Sequence, residues 1–129
     1  MTKTRKKVAR RKGKGLPFPV IDLFAGPGGL GEGFAALGDE RDNPIFQNVL
    51  SIEQDELSHK TLLLRHFFRS FRPDELPEDY YDFVARRISR DELYARHKDS
   101  YHAASESAVR LSLGPNSHEP VRRLINSRL

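Results

Sequence analysis

The chain has 129 residues, 37% hydrophobic and 31% charged, with a formal net charge of +4 and no cysteine. That length suits one polar, soluble domain at most, and the missing cysteines exclude disulfides, thiolate metal sites and a cysteine nucleophile on this chain. No run approaches the roughly 18 apolar residues of a membrane span, and the basic N-terminus lacks the apolar stretch of a secretory signal.

The charge is unevenly spread. Eight of the 22 Lys and Arg lie within residues 1–15 (Lys3, Arg5, Lys6, Lys7, Arg10, Arg11, Lys12, Lys14) and none of the 18 acids does, so the other 114 residues carry 14 bases against 18 acids. Residues 1–16 read as a disordered basic tail and residues 17–129 as a mildly acidic domain. A solubilising leader and a non-specific contact to nucleic-acid phosphates both fit the tail. Charge alone does not separate the two.

Pro17 and Pro19 bracket the start of the ordered region. "PVIDLF" reads as a short buried strand, rich in β-branched and aromatic residues. A glycine turn follows, then a helix over "LGEGFAALG" with Gly38 as its left-handed stop. "DERDNPIF" is a polar turn and "QNVLSIE" a second strand. "DELSHKTLLLRHFF" has helical spacing, with Asp55 as its cap and Pro73 as the later stop. Pro77 opens "PEDYYDFVARRI", and Ser89 three residues before Glu92 makes a capping box in "SRDEL". "YHAASESAVRLSLGP" and "HEPVRRLINSRL" complete the helical half, with no clear third strand. The expected class is α/β: one βαβ unit, the seed of a doubly wound fold, followed by helices.

The glycines pose the functional question. Gly26, Gly28 and Gly31 fit G-x-G-x-x-G between a strand and a helix, and Glu53 closes the next strand 22 residues after Gly31. In such units the glycines let a cofactor reach the backbone, and the acid accepts hydrogen bonds from ribose hydroxyls. The alternative is that the glycines serve tight helix–strand packing alone. An adenosine-type cofactor is implied, either S-adenosylmethionine or NAD. Asp22 suits the ammonium of the former, or it braces the loop amides.

"DLFAGPGGLGEGF" closely resembles the first motif of the DNA cytosine-5 methyltransferases, D-L-F-[AS]-G-x-G-G-[LF]-x-x-G-F. The match covers ten positions: Asp22, Leu23, Phe24, Ala25, Gly26, Gly28, Gly29, Leu30, Gly33 and Phe34. "SIEQDELSHKTLLLRHFF" resembles the family's next motif, including a Thr at Thr61. The resemblance implies a Rossmann-like S-adenosylmethionine-dependent methyltransferase fold, present as an N-terminal fragment, in a bacterial cytoplasmic protein that acts on DNA, as in restriction-modification. It implies cofactor contacts from Asp22, Phe24, Ala25, Gly26, Pro27, Gly28, Gly29, Glu53 and Gln54. Phe24 would lie against the adenine and sugar, the glycine backbone against the methionine end, and Glu53 on the ribose. The position after the acid is often aromatic in the family, and here it is Gln54. The family also has an Asp after its third strand, for which this sequence shows no counterpart.

The family's reaction adds a Cys thiolate to C6 of a flipped cytosine, with a Glu at N3, so that C5 takes the methyl group. This chain has no Cys, and no Pro-Cys-Gln, Glu-Asn-Val or Gln-x-Arg-x-Arg. The expectation is therefore a cofactor-binding part that is inactive alone, with no catalytic residue of its own and DNA or a complementing C-terminal methyltransferase chain as partners. The first strand would then keep an unpaired apolar edge. The alternatives are a non-catalytic nucleic-acid-binding relic or regulatory fragment, and an NAD-dependent oxidoreductase fragment. His59 and His66 read as surface residues, and His97, His102 and His118 show no metal pattern. Tyr80, Tyr81 and Phe83 read as a core stripe, and Asp74, Glu75, Glu78, Asp79 and Asp82 as a solvated acidic face.

Overall fold

The computed structural model describes residues 16–72 and 74–129. The tail over 1–15 and the stop at Pro73 lie outside the described residues.

Strand β1 (Phe18–Leu23) leads through the glycine turn to helix α1 (Gly29–Ala35) and strand β2 (Phe46–Glu53). Helices α2 (Glu56–Arg69), α3 (Glu78–Val84), α4 (Arg90–Arg96) and α5 (Lys98–Ser107) follow. A short strand β3 (Ala108–Arg110), a 3-10 turn (Pro115–Ser117) and helix α6 (His118–Arg128) complete the chain. The fold is mixed α/β, and its sheet has the order β1-β2-β3 with both pairings parallel. β2 is central, and its Leu50, Ser51 and Ile52 are fully buried, as expected of a parallel strand covered on both faces.

β1 and β2 run in register until Val20 faces Asn48; Ile21 then faces Leu50, so Val49 is an extra residue in a β-bulge. The bulge shifts the alternation of β2. Asn48 approaches Gly31 of α1 and Ser51 bonds His66 of α2, so both lie on the face that α1 and α2 cover, although regular pleating would put residues three apart on opposite faces.

Helix α2 organises the rest, with two working faces. On one face Phe67 and the half-buried Leu63, Leu64 and Phe68, with Phe71 just after the helix, join Leu93, Tyr94, Ala104, Phe83, Ile88 and Tyr101 in the helical core. Leu62, Arg65, His66 and Arg69, at helical spacing, face the glycine turn, β2 and α1. Asp55 caps α2 by accepting the Ser58 N–H at 2.8 Å, and Ser89 caps α4 by accepting the Glu92 N–H at 3.0 Å. The Asp55 cap matches the sequence reading, whereas at Ser89 only half of the expected capping box forms, because the Glu92 side chain pairs with Arg96 at 2.6 Å instead of reaching back. Pro77 stands one position outside α3, as its cap.

Other expectations change. The segment read as one helix from Tyr101 divides: α5 ends at Ser107, and Ala108–Arg110 pair with Ser51–Glu53 as a third strand. Pairing with the sheet overrides local helical spacing there. α1 ends at Ala35 with right-handed Ala36, and Gly38 makes an isolated antiparallel bridge to Pro44 rather than a left-handed stop. His66 is buried, not on the surface: its Nδ1 lies 2.7 Å from Ser107 Oγ and its Nε2 3.1 Å from Ser51 Oγ. His59 Nε2 lies 3.0 Å from the Ala108 carbonyl and is half-buried. In the aromatic stripe Phe83 joins the core and Tyr80 packs edge-on to Phe68, while Tyr81 stays exposed. The acidic face is partly tied down, since Asp79 bonds Arg96 at 2.7 Å and His97 at 2.8 Å.

Candidate functional site

The turn that follows β1 is built from unusual backbone. Phe24 has φ of +59° and its side chain is 75% exposed. A bulky non-glycine residue in the left-handed region costs about 1–3 kcal/mol, and such strain concentrates at functional sites. Gly26 and Gly28 follow with φ of +60° and +95°. Between them the chain is tied down twice: Ala25 N–H donates to the Ile52 carbonyl at 2.9 Å, and Gly28 N–H donates to the Ala25 carbonyl at 3.1 Å.

The glycines differ in what they permit. A methyl group on Gly28 would come within 2.9 Å of Leu62 Cδ1, and one on Gly31 would collide with Asn48 Nδ2. Those two allow the turn and α1 to seat on α2 and β2. A methyl group on Gly26 would meet nothing within 4 Å among the described residues. Gly26 is required by its backbone angle, and the space beside it is open.

Glu53 joins the two halves of the site. Its Oε1 accepts the Gly26 N–H at 2.8 Å, and its Oε2 accepts the Asp55 N–H at 2.8 Å. A carboxylate has about four lone-pair sites, so each oxygen keeps capacity for a further donor. Glu53 is half-buried at the carboxyl end of β2, and the exposed Gln54 follows it. The Gln54 carbonyl accepts a hydrogen bond from Arg110 Nε at 3.0 Å, which ties this loop to the end of β3.

Asp22 stands apart. The bracing of loop amides considered for it falls to Glu53 instead. Asp22 lies opposite Ser51 in the sheet, and its Oδ2 is buried without a hydrogen-bond partner among the described residues. Burial pushes its carboxyl above the usual range, and Arg69 opposes that shift. Arg69 is itself committed to Glu32, with Nη2 2.6 Å from Oε1, which fastens α2 to α1.

Hydrogen bonds thus bring Ala25, Gly26 and Glu53 together, with Pro27, Gly29 and Gln54 exposed around them and Gly28 buried beneath. Thr61 is exposed on α2. Two surface hollows of about 400 and 600 Å³ lie elsewhere, along Ala95–Ser100 and Phe83–Arg90. Each is lined by one continuous run of chain, so no separate elements converge on it, and neither holds a reactive constellation. No group of three or more His, Cys, Asp or Glu among the described residues has metal-binding geometry, and none of their helices is long and apolar enough to cross a membrane.

Two features escaped the sequence reading. The left-handed backbone of Phe24 has no signature in residue type. Arg65, which runs under Gly28 and Gly29, is marked only by its place one turn after Leu62, on the face that meets the glycine turn.

The site therefore offers an exposed aromatic face, an open glycine backbone and a fixed carboxylate with spare acceptor capacity, all at the carboxyl end of a parallel sheet. Such a set can hold a hydroxyl-bearing planar ligand. No family model, curated protein or solved structure matches the chain.

Proposed function

We propose that this chain is the S-adenosylmethionine-binding part of a DNA cytosine-5 methyltransferase. The observation that carries the reading is the Gly26–Glu53 hydrogen bond at 2.8 Å, because it joins the ten-position glycine motif and the acid of the next strand in one site. The parallel order β1-β2-β3 is compatible with one half of a doubly wound sheet, in which ligands bind beyond the carboxyl ends of the strands.

The residues present fit the cofactor. Open space beside Gly26 and the exposed ring of Phe24 leave room for adenosine. Glu53 has acceptor capacity left for ribose hydroxyls, and the backbone from Ala25 to Gly29 takes the methionine end. Gln54 replaces an aromatic stacking contact with an amide. The Asp that the family carries after its third strand has no counterpart, for Leu111 to Asn116 after β3 hold no acid.

When bound, the cofactor supplies an electrophilic methyl group on sulfonium sulfur. This chain's own residues bind and orient it. They do not activate cytosine, because that step needs a thiolate and the sequence has none. The thiolate would come from sequence outside these residues, and the chain alone transfers no methyl group to DNA.

The test is backbone amide mapping by NMR. Adding S-adenosylmethionine is expected to move the amide signals of Phe24 to Gly26, of Gly28 and Gly29, and of Glu53 to Asp55 before any others. Shifts confined to the helical half, or none at millimolar cofactor, would refute the proposal.

A further inference from the structure

Arg65 is a cation that lies beside the glycine turn. A methyl group on Gly28 would lie 3.5 Å from Arg65 Cδ and 3.9 Å from Nη1, and one on Gly29 would also lie 3.9 Å from Nη1. The guanidinium therefore spans the Gly28–Gly29 step. Arg65 is half-buried, and it has no acid partner or hydrogen bond among the described residues. Its neighbour one turn on, Arg69, is by contrast paired with Glu32 at 2.6 Å.

Two features of Arg65 suit it to a ligand. Leu62 and the Arg65 stem pack directly under Gly28, so the side chain is held by contacts and loses less freedom when it binds. It also lies where the chain is shaped for close approach, since the exposed Gly29 has no side chain to shield the guanidinium. A guanidinium presents several N–H donors in a fixed fork that matches an oxyanion.

We propose that Arg65 binds the anionic end of the ligand seated on the glycine turn. This rests on the proposed function, under which that anion is the α-carboxylate of S-adenosylmethionine. Arg65 would then set specificity for a cofactor that carries an amino-acid end over one that carries adenosine alone. The same fork would suit a dinucleotide phosphate, so NAD is included as a probe.

The experiment measures the affinities of S-adenosylmethionine, 5′-methylthioadenosine (which lacks the carboxylate and ammonium) and NAD for the full chain and for Arg65→Gln. The expected result is a loss of about tenfold for S-adenosylmethionine, the scale of one charge-assisted hydrogen bond, with 5′-methylthioadenosine changed by less than about twofold. Arg65→Lys keeps the charge and most of the stem, and is expected to retain part of the preference. Equal losses for both adenosine ligands, no loss for either, or an Arg65→Lys variant as poor as Arg65→Gln would overturn the assignment while leaving the proposed function standing. If the unaltered chain binds NAD but neither adenosine ligand, the proposed function fails and this assignment with it.

Discussion

Gly26 donates its backbone N–H to Glu53 Oε1 at 2.8 Å, across 27 residues of chain. Because Glu53 Oε2 also takes the Asp55 N–H at 2.8 Å, one carboxylate holds the glycine turn and the start of α2. Glu53 therefore has a structural task whether or not a ligand is present.

Glu53→Ala is expected to lower stability by about 1–3 kcal/mol, since two backbone donors lose their acceptor. Glu53→Gln, which keeps one acceptor oxygen, should lose less. Urea unfolding of the three proteins checks this. Equal midpoints for Glu53→Ala and the parent chain would mean that the carboxylate is not what fixes the turn.

The glycines should separate by position. Gly31→Ala drives a methyl group into the Asn48 side-chain amide, and such overpacking costs about 1–3 kcal/mol. Gly26→Ala meets no atom of the described residues within 4 Å but holds φ of +60°, a strain of about 1–2 kcal/mol. Gly33→Ala has open space and lies inside α1, so it should stabilise by up to about 1 kcal/mol. Thermal or urea unfolding of the set tests the order, and a destabilised Gly33→Ala would contradict it.

Histidine 66 makes stability depend on pH. Burial chiefly, with Arg69 and His59 adding to it, lowers its pKa to about 4. The native state keeps the ring neutral between Ser51 and Ser107, whereas the unfolded chain takes up a proton below about 6.5. The unfolded state then binds more protons, so stability is full above that value and falls as pH drops towards 4, by about 3 kcal/mol. Asp55 and Asp79, both held below the usual carboxylate range by hydrogen bonds, add losses in the same direction at the acid end. Comparing urea unfolding of the parent chain and His66→Gln from pH 7 to 4 isolates the histidine. The variant should show a shallower fall, and parallel curves would contradict the assignment.

Much of this arrangement is legible in sequence where the cause is local. Asp55 and Ser89 cap helices because a carboxylate or hydroxyl there meets an amide three residues on. Gly26 and Glu53 fall together because strand, turn and helix lengths in a βαβ unit place them so. The third strand is not legible, since Ala108–Arg110 spans three residues and is held by pairing with Ser51–Glu53 rather than by propensity. The burial of His66 is equally hidden: its partners Ser51 and Ser107 lie 15 and 41 residues away. Arg65, His66 and Arg69 fall off the hydrophobic periodicity, yet with Leu62 they make the face that carries the turn.

The basic segment offers a separate prediction. If Lys3 to Lys14 contact phosphates, deleting residues 1–15 removes eight cations, and DNA affinity and its salt dependence should both fall. Titration of duplex DNA at several salt concentrations reads this out. An unchanged slope would assign the segment to solubility.

The most direct measurement is calorimetric titration of the full chain with S-adenosylmethionine and, separately, with NAD. The account predicts one-site binding of S-adenosylmethionine, weak but tighter than NAD, and weakened further by Glu53→Ala. Tighter binding of NAD, or S-adenosylmethionine binding that Glu53→Ala leaves untouched, would contradict it.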